Sequence, residues 1–192
     1  RGAPPNSVCR THVAGDDRVV LAAAGQVVVS GGSTVTFYGD VTNDPGSRFH
    51  VSAAGTLTST AVFFGSLTGT GVSGTGNVFL EGDMRPGASP GVRDFGGNVV
   101  LGPWSTTQIE LCGTIRGDEH DAMIVDGDFT LDGSLDVLSI DSFLPQAGDT
   151  FDILDFEPTN LSGLFDVVNL PALASDLEWD QSNLYTTGEL LV

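Results

Sequence analysis

Apolar residues recur at every second position along much of the chain, in runs too short for helices. Met123-Ile124-Val125, Phe129 with Leu131, Leu135 with Val137-Leu138, and Phe151 with Ile153 are cut by Asp-Gly pairs at 126–127 and 132–133. Such alternation is what a half-buried strand requires, and Asp-Gly supplies the backbone freedom of a tight turn. The theme continues upstream in Val19-Val20-Leu21, Val27-Val28-Val29, Val35 with Phe37, Phe49 to Val51, Thr56 to Thr58, Val62 to Phe64 and Val78 to Leu80, separated by Gly and Ser. No window between 113 and 154 keeps the 3.6-residue spacing of a helix. The pattern predicts an all-β protein of many short strands, with one short helical turn expected between Asn169 and Asp176.

Short strands separated by small-residue corners suit a β-solenoid (β-helix), in which each coil hides its apolar face only by stacking on the next. A β-sandwich is the alternative; the solenoid is the expectation for the N-terminal two-thirds. Three regions follow. Residues 1–14 read as an extended arm around Val8 and Val13, residues 15–112 as solenoid coils, and residues 113–192 as an acidic strand-rich module, a cap that is β-sandwich-like or otherwise strand-rich, ending in an apolar strand. The 26 glycines among 192 residues favour this turn-rich class over a helical one, and the 40% apolar content argues against disorder.

Charge changes the picture. The chain carries a net −18, its seven basic residues are all Arg, and 1–116 holds eight acids against those seven, while 117–192 holds the other seventeen acids and no Lys or Arg. A nucleic-acid partner is excluded as an expectation, because phosphate neutralisation needs a basic surface; anionic membranes fit no better, and no run is long and apolar enough to span a bilayer. A near-neutral end and an acidic end give the module head-to-tail polarity.

Cys9 and Cys112 lack the spacing of a zinc site. The start RGAPPNS reads as an end left by processing, which implies an oxidising compartment and makes a Cys9–Cys112 disulfide, within or between chains, an expectation. Asp118, Glu119 and Asp121 bunch beside a turn and are the candidate calcium ligands, although the spacing matches no EF-hand or nonapeptide repeat. No cofactor is required by this pattern. His12, His50 and His120 are scattered, no carboxylate stands out from its neighbours, and Trp104 and Trp179 do not repeat as a sugar-stacking ladder; an enzyme is not expected. The Thr-x-Thr pairs are too few and unevenly placed for an ice-binding array.

From Gly82 to Val192 the sequence resembles the C-terminal module of exported bacterial proteins with autotransporter-associated β-strand repeats, often found just upstream of PEP-CTERM sorting segments. The matching pieces are DMRPGASPG (83–91), IELCG (109–113), DAMIVDGDFTLDGSLDVL (121–138), FLPQAGDTFDIL (143–154), LSGLF (161–165) and WDQSNLYTTGELLV (179–192). The resemblance implies a right-handed β-solenoid, secretion after signal-peptide removal to the surface or surroundings of a bacterium, and no catalytic residues.

These readings converge on a secreted structural protein, a subunit of an extracellular filament or matrix that partners with itself head to tail. Open strand edges seek partners, and either the arm around Val8 and Val13 or the final strand carrying Leu184, Leu190 and Val192 is the expected donor for strand addition. The alternative is a monomeric cell-surface adhesin or glycan-binding module.

Overall fold

The computed structural model describes residues 18–87 and 90–192. The chain makes successive circuits, each laying one strand in a seven-stranded and one in a six-stranded parallel sheet, with a middle strand in a two-stranded parallel pair or a four-stranded parallel sheet. The first circuit is β1 (Val19–Leu21), β2 (Gln26–Val29) and β3 (Thr34–Phe37). The second is β4 (Val41–Asn43), β5 (Arg48–Val51), a small antiparallel hairpin of β6 (Ala53–Ala54) and β7 (Leu57–Thr58), then β8 (Thr60–Phe63). The third comprises β9 (Leu67–Gly69), β10 (Gly71–Val72) and β11 (Asn77–Leu80), and the fourth β12 (Met84–Pro86), β13 (Val92–Phe95) and β14 (Val99–Leu101). The fifth contains β15 (Thr106–Leu111), β16 (Ala122–Val125) and β17 (Phe129–Leu131). The sixth runs through β18 (Ser134–Ser139), β19 (Thr150–Asp152), β20 (Leu154–Phe156) and β21 (Leu161–Gly163), and β22 (Val167–Asn169) begins another before the closing β23 (Glu189–Leu191).

The sheets are a seven-stranded one, β1-β4-β9-β12-β15-β18-β22, a six-stranded one, β3-β8-β11-β14-β17-β21, and a four-stranded one, β10-β13-β16-β20. The β2-β5 pair lies in line with the last through a parallel bridge between Val51 and Gly74. The protein is thus all-β with parallel sheets, consistent with a β-helix or solenoid-like class. Among the described residues no helix is long and apolar enough to cross a membrane.

Strict register explains the core. Val19, Val41, Leu67, Met84, Thr107, Leu135 and Val168 pair in succession across the seven-stranded sheet. Val35, Ala61, Val78, Val99, Phe129 and Leu161 do the same across the six-stranded one. Because side chains alternate along a strand, each column points inward as a unit, and its central members are buried. Parallel neighbours lie about 4.8 Å apart, so the corners are tight. At the corner leading from the six-stranded to the seven-stranded sheet, a Cβ on Gly65 would strike the backbone of Gly39, and one on Gly82 would strike that of Gly65.

Two expectations are revised. The boundary placed at 112/113 falls inside the fifth circuit, and β16 to β18 and β20 to β22 extend the same parallel sheets rather than building a separate sandwich. The antiparallel β19-β23 pair is the part of 113–192 that stands apart. Residues 169–176 hold no helical turn; a 3-10 turn lies at Pro158–Asn160, where Pro158 opens it with its fixed φ. The arm at 1–14 lies outside the described residues.

Candidate functional site

At the N-terminal end of the sheets, β1, β2 and β3 each have one strand neighbour among the described residues. Of the six inward side chains there, Leu21 and Val29 are buried, whereas Val19, Val27, Val35 and Phe37 touch the core but are only partly covered. Phe37 stacks on Phe63 with centroids 4.9 Å apart and meets Phe49 edge-on at 5.7 Å. Just past these strands, Tyr38 and Phe64 stack outside the core at 5.5 Å with planes 6° apart, and they are 71% and 52% exposed. Both pairs follow from similar heptapeptides, STVTFYG (33–39) and STAVFFG (59–65), placed side by side by the β3-β8 register. The sequence reading overlooked that repeat, which was the available signal.

The C-terminal end is finished differently. After β22 the chain turns back, and Trp179 donates from Nε1 to the Pro171 carbonyl at 2.8 Å while its ring packs 5.8 Å from Phe151. Residues 182–187 form turns closed by the Asn183 carbonyl, which accepts from the N–H groups of Thr186, Thr187 and Gly188. The Gly188 carbonyl accepts from Ile153 and Leu154 at 3.0 and 3.1 Å, tying the turn to the start of β20. Gly188 has φ +80° and a Cβ there would collide with the Leu154 carbonyl. Leu184 and Leu190 are fully buried, Val192 packs on the core from the side, and β23 pairs with β19 through Thr150–Leu191, Phe151–Leu190 and Asp152–Glu189. The strand expected to be donated is therefore already paired within its own chain, and donation would require it to leave β19. Val8 and Val13, the other expected donor, lie outside the described residues.

The acidic loop between β15 and β16 holds the remaining residues singled out by sequence. It brings Asp118, Glu119 and Asp121 close in the chain but gives their carboxylates different tasks. Asp121 is nearly fully buried; its Oδ1 accepts from the Gly91 N–H at 2.7 Å and its Oδ2 from the Glu110 N–H at 2.9 Å, so one side chain ties the loop to β15 and to the residue before β13. Burial pushes its pKa up to about 7 against the pull of those two donors, and Glu110 adds to the rise. Glu119 Oε2 accepts from Thr114 and Ile115, both at 3.0 Å, and Asp118 is exposed. Among the described residues no three His, Cys, Asp or Glu side chains are gathered to hold a metal ion.

His120 and Arg116 fasten the loop to β19 and β20. Arg116 donates to Asp152 and, at 3.0 Å, to Asp155. The His120 Nε2 lies 3.3 Å from the Asp152 carbonyl, with the ring edge-on to Phe151. Burial lowers the imidazole pKa, opposed by backbone bonds to Asp152 and Gly113; burial likewise raises that of Asp152, opposed by Arg116. Cys112, half-buried at the loop's start, is the one cysteine among the described residues, and its thiol is bonded to none of them. Partial burial, then Asp141, Glu119, Asp121 and Glu110, raise its pKa and make its thiolate scarce. The expected bond to Cys9 falls outside the described residues. Comparison of the chain with protein-family models, with curated proteins and with solved structures finds no match.

Proposed function

We propose that this chain is a secreted structural protein, a right-handed β-solenoid that joins copies of itself head to tail into an extracellular filament or matrix at a bacterial surface. The observation that carries this reading is the N-terminal end, where, among the described residues, three parallel strands offer unpaired edges over apolar columns whose first members are incompletely covered. Free edges of this kind are templates for further strands. The columns that start at Val19 and Val35 end at Val168 and Leu161, also partly covered, so a second copy added beyond β21 and β22 would continue both in register. Charge supports the same direction. Arg18 and Arg48 belong to the first two circuits and are exposed, whereas 117–192 is wholly acidic in its charged side chains apart from His120. The resemblance over Gly82–Val192 favours the extracellular setting.

A head-to-tail joint must accommodate the turn at 182–187, and subunits of this net charge repel at low salt. Assembly is therefore expected to rise with ionic strength, or with calcium acting as a bridging counter-ion. Electron microscopy of purified protein at low and physiological ionic strength, with and without calcium, tests this; single particles in every condition would refute self-assembly.

A second reading, a monomeric adhesin or glycan-binding module, is favoured by the stacked Tyr38–Phe64 pair and by Trp104, which is 85% exposed. Exposed aromatic faces suit stacking against apolar sugar faces. A glycan panel probed with the wild type and with Tyr38→Ala/Phe64→Ala separates the two: loss of a specific signal in the variant supports binding, and no signal from the wild type discards it.

A further inference from the structure

Inside the stack, where the third and fourth circuits meet, lies a polar layer that none of the preceding roles uses. β13 alternates so that Arg93 and Phe95 point inward, and Arg93 is 0% exposed. Its Nε donates to Ser73 Oγ at 3.0 Å and its Nη1 to the Thr70 carbonyl at 3.3 Å, while Cζ lies 5.7 Å from the Phe95 ring centre. Arg85 and Arg116 have carboxylate partners; Arg93 has none among the described residues. From the second circuit, the buried Asn43 sends its Nδ2 to the same Thr70 carbonyl at 2.7 Å.

Two polar atoms are left over here, and they are of opposite kind. Arg93 Nη2 is a buried donor without an acceptor, and Asn43 Oδ1 is a buried acceptor without a donor. A buried unsatisfied group costs about 1–3 kcal/mol, more for a charged one, so two beside one carbonyl call for a common partner. The sequence makes room for it. Gly71 is the register partner of Arg93, and a Cβ there would meet a single atom within 4 Å, the Asn43 Nδ2 at 3.5 Å. An anion would satisfy Nη2 but be repelled by Oδ1, and a cation the reverse. Only a small neutral molecule that both accepts and donates fits both, and water is the smallest.

We infer that a single water molecule is bound in the interior between Arg93 Nη2 and Asn43 Oδ1, accepting from the first and donating to the second. With it the Asn43–Thr70–Arg93–Ser73 layer becomes a closed hydrogen-bond network that links the second, third and fourth circuits. Buried networks of this kind are costly when half satisfied and fix one arrangement when complete. The layer thus holds these circuits in register from within, independently of whether copies of the chain associate.

A crystal structure at atomic resolution tests the inference directly. The expected result is a fully occupied water within hydrogen-bonding distance of both atoms; featureless density there would overturn it, as would an anomalous peak at that position after a bromide soak, which would make the occupant an anion. In solution, Asn43→Leu and Arg93→Met are each expected to lower the urea midpoint, and the double variant to be no worse than the weaker of the two. Strictly additive losses would overturn the shared partner. Should either variant fail to fold, the wild-type density decides alone.

Discussion

The two ends of the sheets are finished to different degrees. At the C-terminal end the chain doubles back, sets Leu184 and Leu190 into the core and braces them with Phe151, Trp179 and an antiparallel strand pair. At the N-terminal end, among the described residues, the columns stop at Val19, Val27, Val35 and Phe37 with one flank bare. A repetitive parallel stack has no intrinsic terminus, since every circuit offers the next the same edge. Termination needs a piece of chain that breaks the repeat. Residues 170–192 break the repeat alongside β19 and β20, where they seat against Phe151 and Ile153, while β21 and β22 keep one strand neighbour each among the described residues.

The difference can be broken or sharpened by mutation. The largest effect is expected at the cap: Leu184→Ala should cost about 2–5 kcal/mol, whereas Val19→Ala at the bare end should cost less than about 1 kcal/mol, both read by urea denaturation. Equal losses would mean that the N-terminal columns are as well covered as the C-terminal ones. Next comes the tight corner shared by the first three circuits. Gly65→Ala puts a methyl group against the Gly39 backbone and should destabilise by about 1–3 kcal/mol, the thermal midpoint falling with it.

A smaller effect separates the halves by pH. Asp121 holds its proton to about pH 7 in the native state, but an unfolded chain releases it near the ordinary value of 3.8. Between these values the native state binds the extra proton, so this residue's contribution to stability is complete below the lower value and is lost as pH rises through the upper one. Denaturation midpoints across that window should therefore decline with rising pH more steeply in the wild type than in Asp121→Asn; parallel curves would show that Asp121 is ionised throughout. The smallest change is expected for Tyr38→Ser. It removes one exposed stacked ring and should cost about 0.5–1.5 kcal/mol, measured by the same denaturation.

Much of the strand content could be read from the chain, because an inward column leaves a period-two trace wherever one face is buried. Leu135 and Val137, or Val99 and Leu101, are legible for that reason. The regularity of the stack was harder to see. The β6-β7 hairpin, the loop at 112–121 and the segment at 140–152 lengthen individual circuits, so Val41, Leu67, Met84, Thr107, Leu135 and Val168 are spaced unequally although they stand in one column. The recurring corner Gly-Asn-Val-Phe-Leu-Glu-Gly (76–82), echoed by Gly-Asn-Val-Val-Leu-Gly (97–102) and Gly-Asp-Phe-Thr-Leu-Asp-Gly (127–133), was the better ruler. Asn77 and Asn98 stack there, with Asn98 Nδ2 donating to Asn77 Oδ1 at 3.1 Å.

The functional residues were less visible. Arg93 sits at the same parity as Phe95 in Val92-Arg93-Asp94-Phe95, but a charge between apolar neighbours reads as solvated by default, and its burial is a tertiary fact. The carboxylates of Asp118, Glu119 and Asp121 looked like a cation site because sequence reports proximity and not direction. Asp121 faces two backbone donors and Glu119 faces two others.

The glycine seam of Gly39, Gly65 and Gly82 also has a practical side. Where backbones pass this closely nothing can be spliced in, and the first three circuits carry no added segment at that corner. Growth has gone to the other corners, as the 53–58 hairpin and the longer stretches before β16 and β20 show. An engineer wishing to display a foreign peptide on this scaffold should choose the hairpin tip at Gly55, where a side chain would meet nothing within 4 Å, and leave the seam untouched.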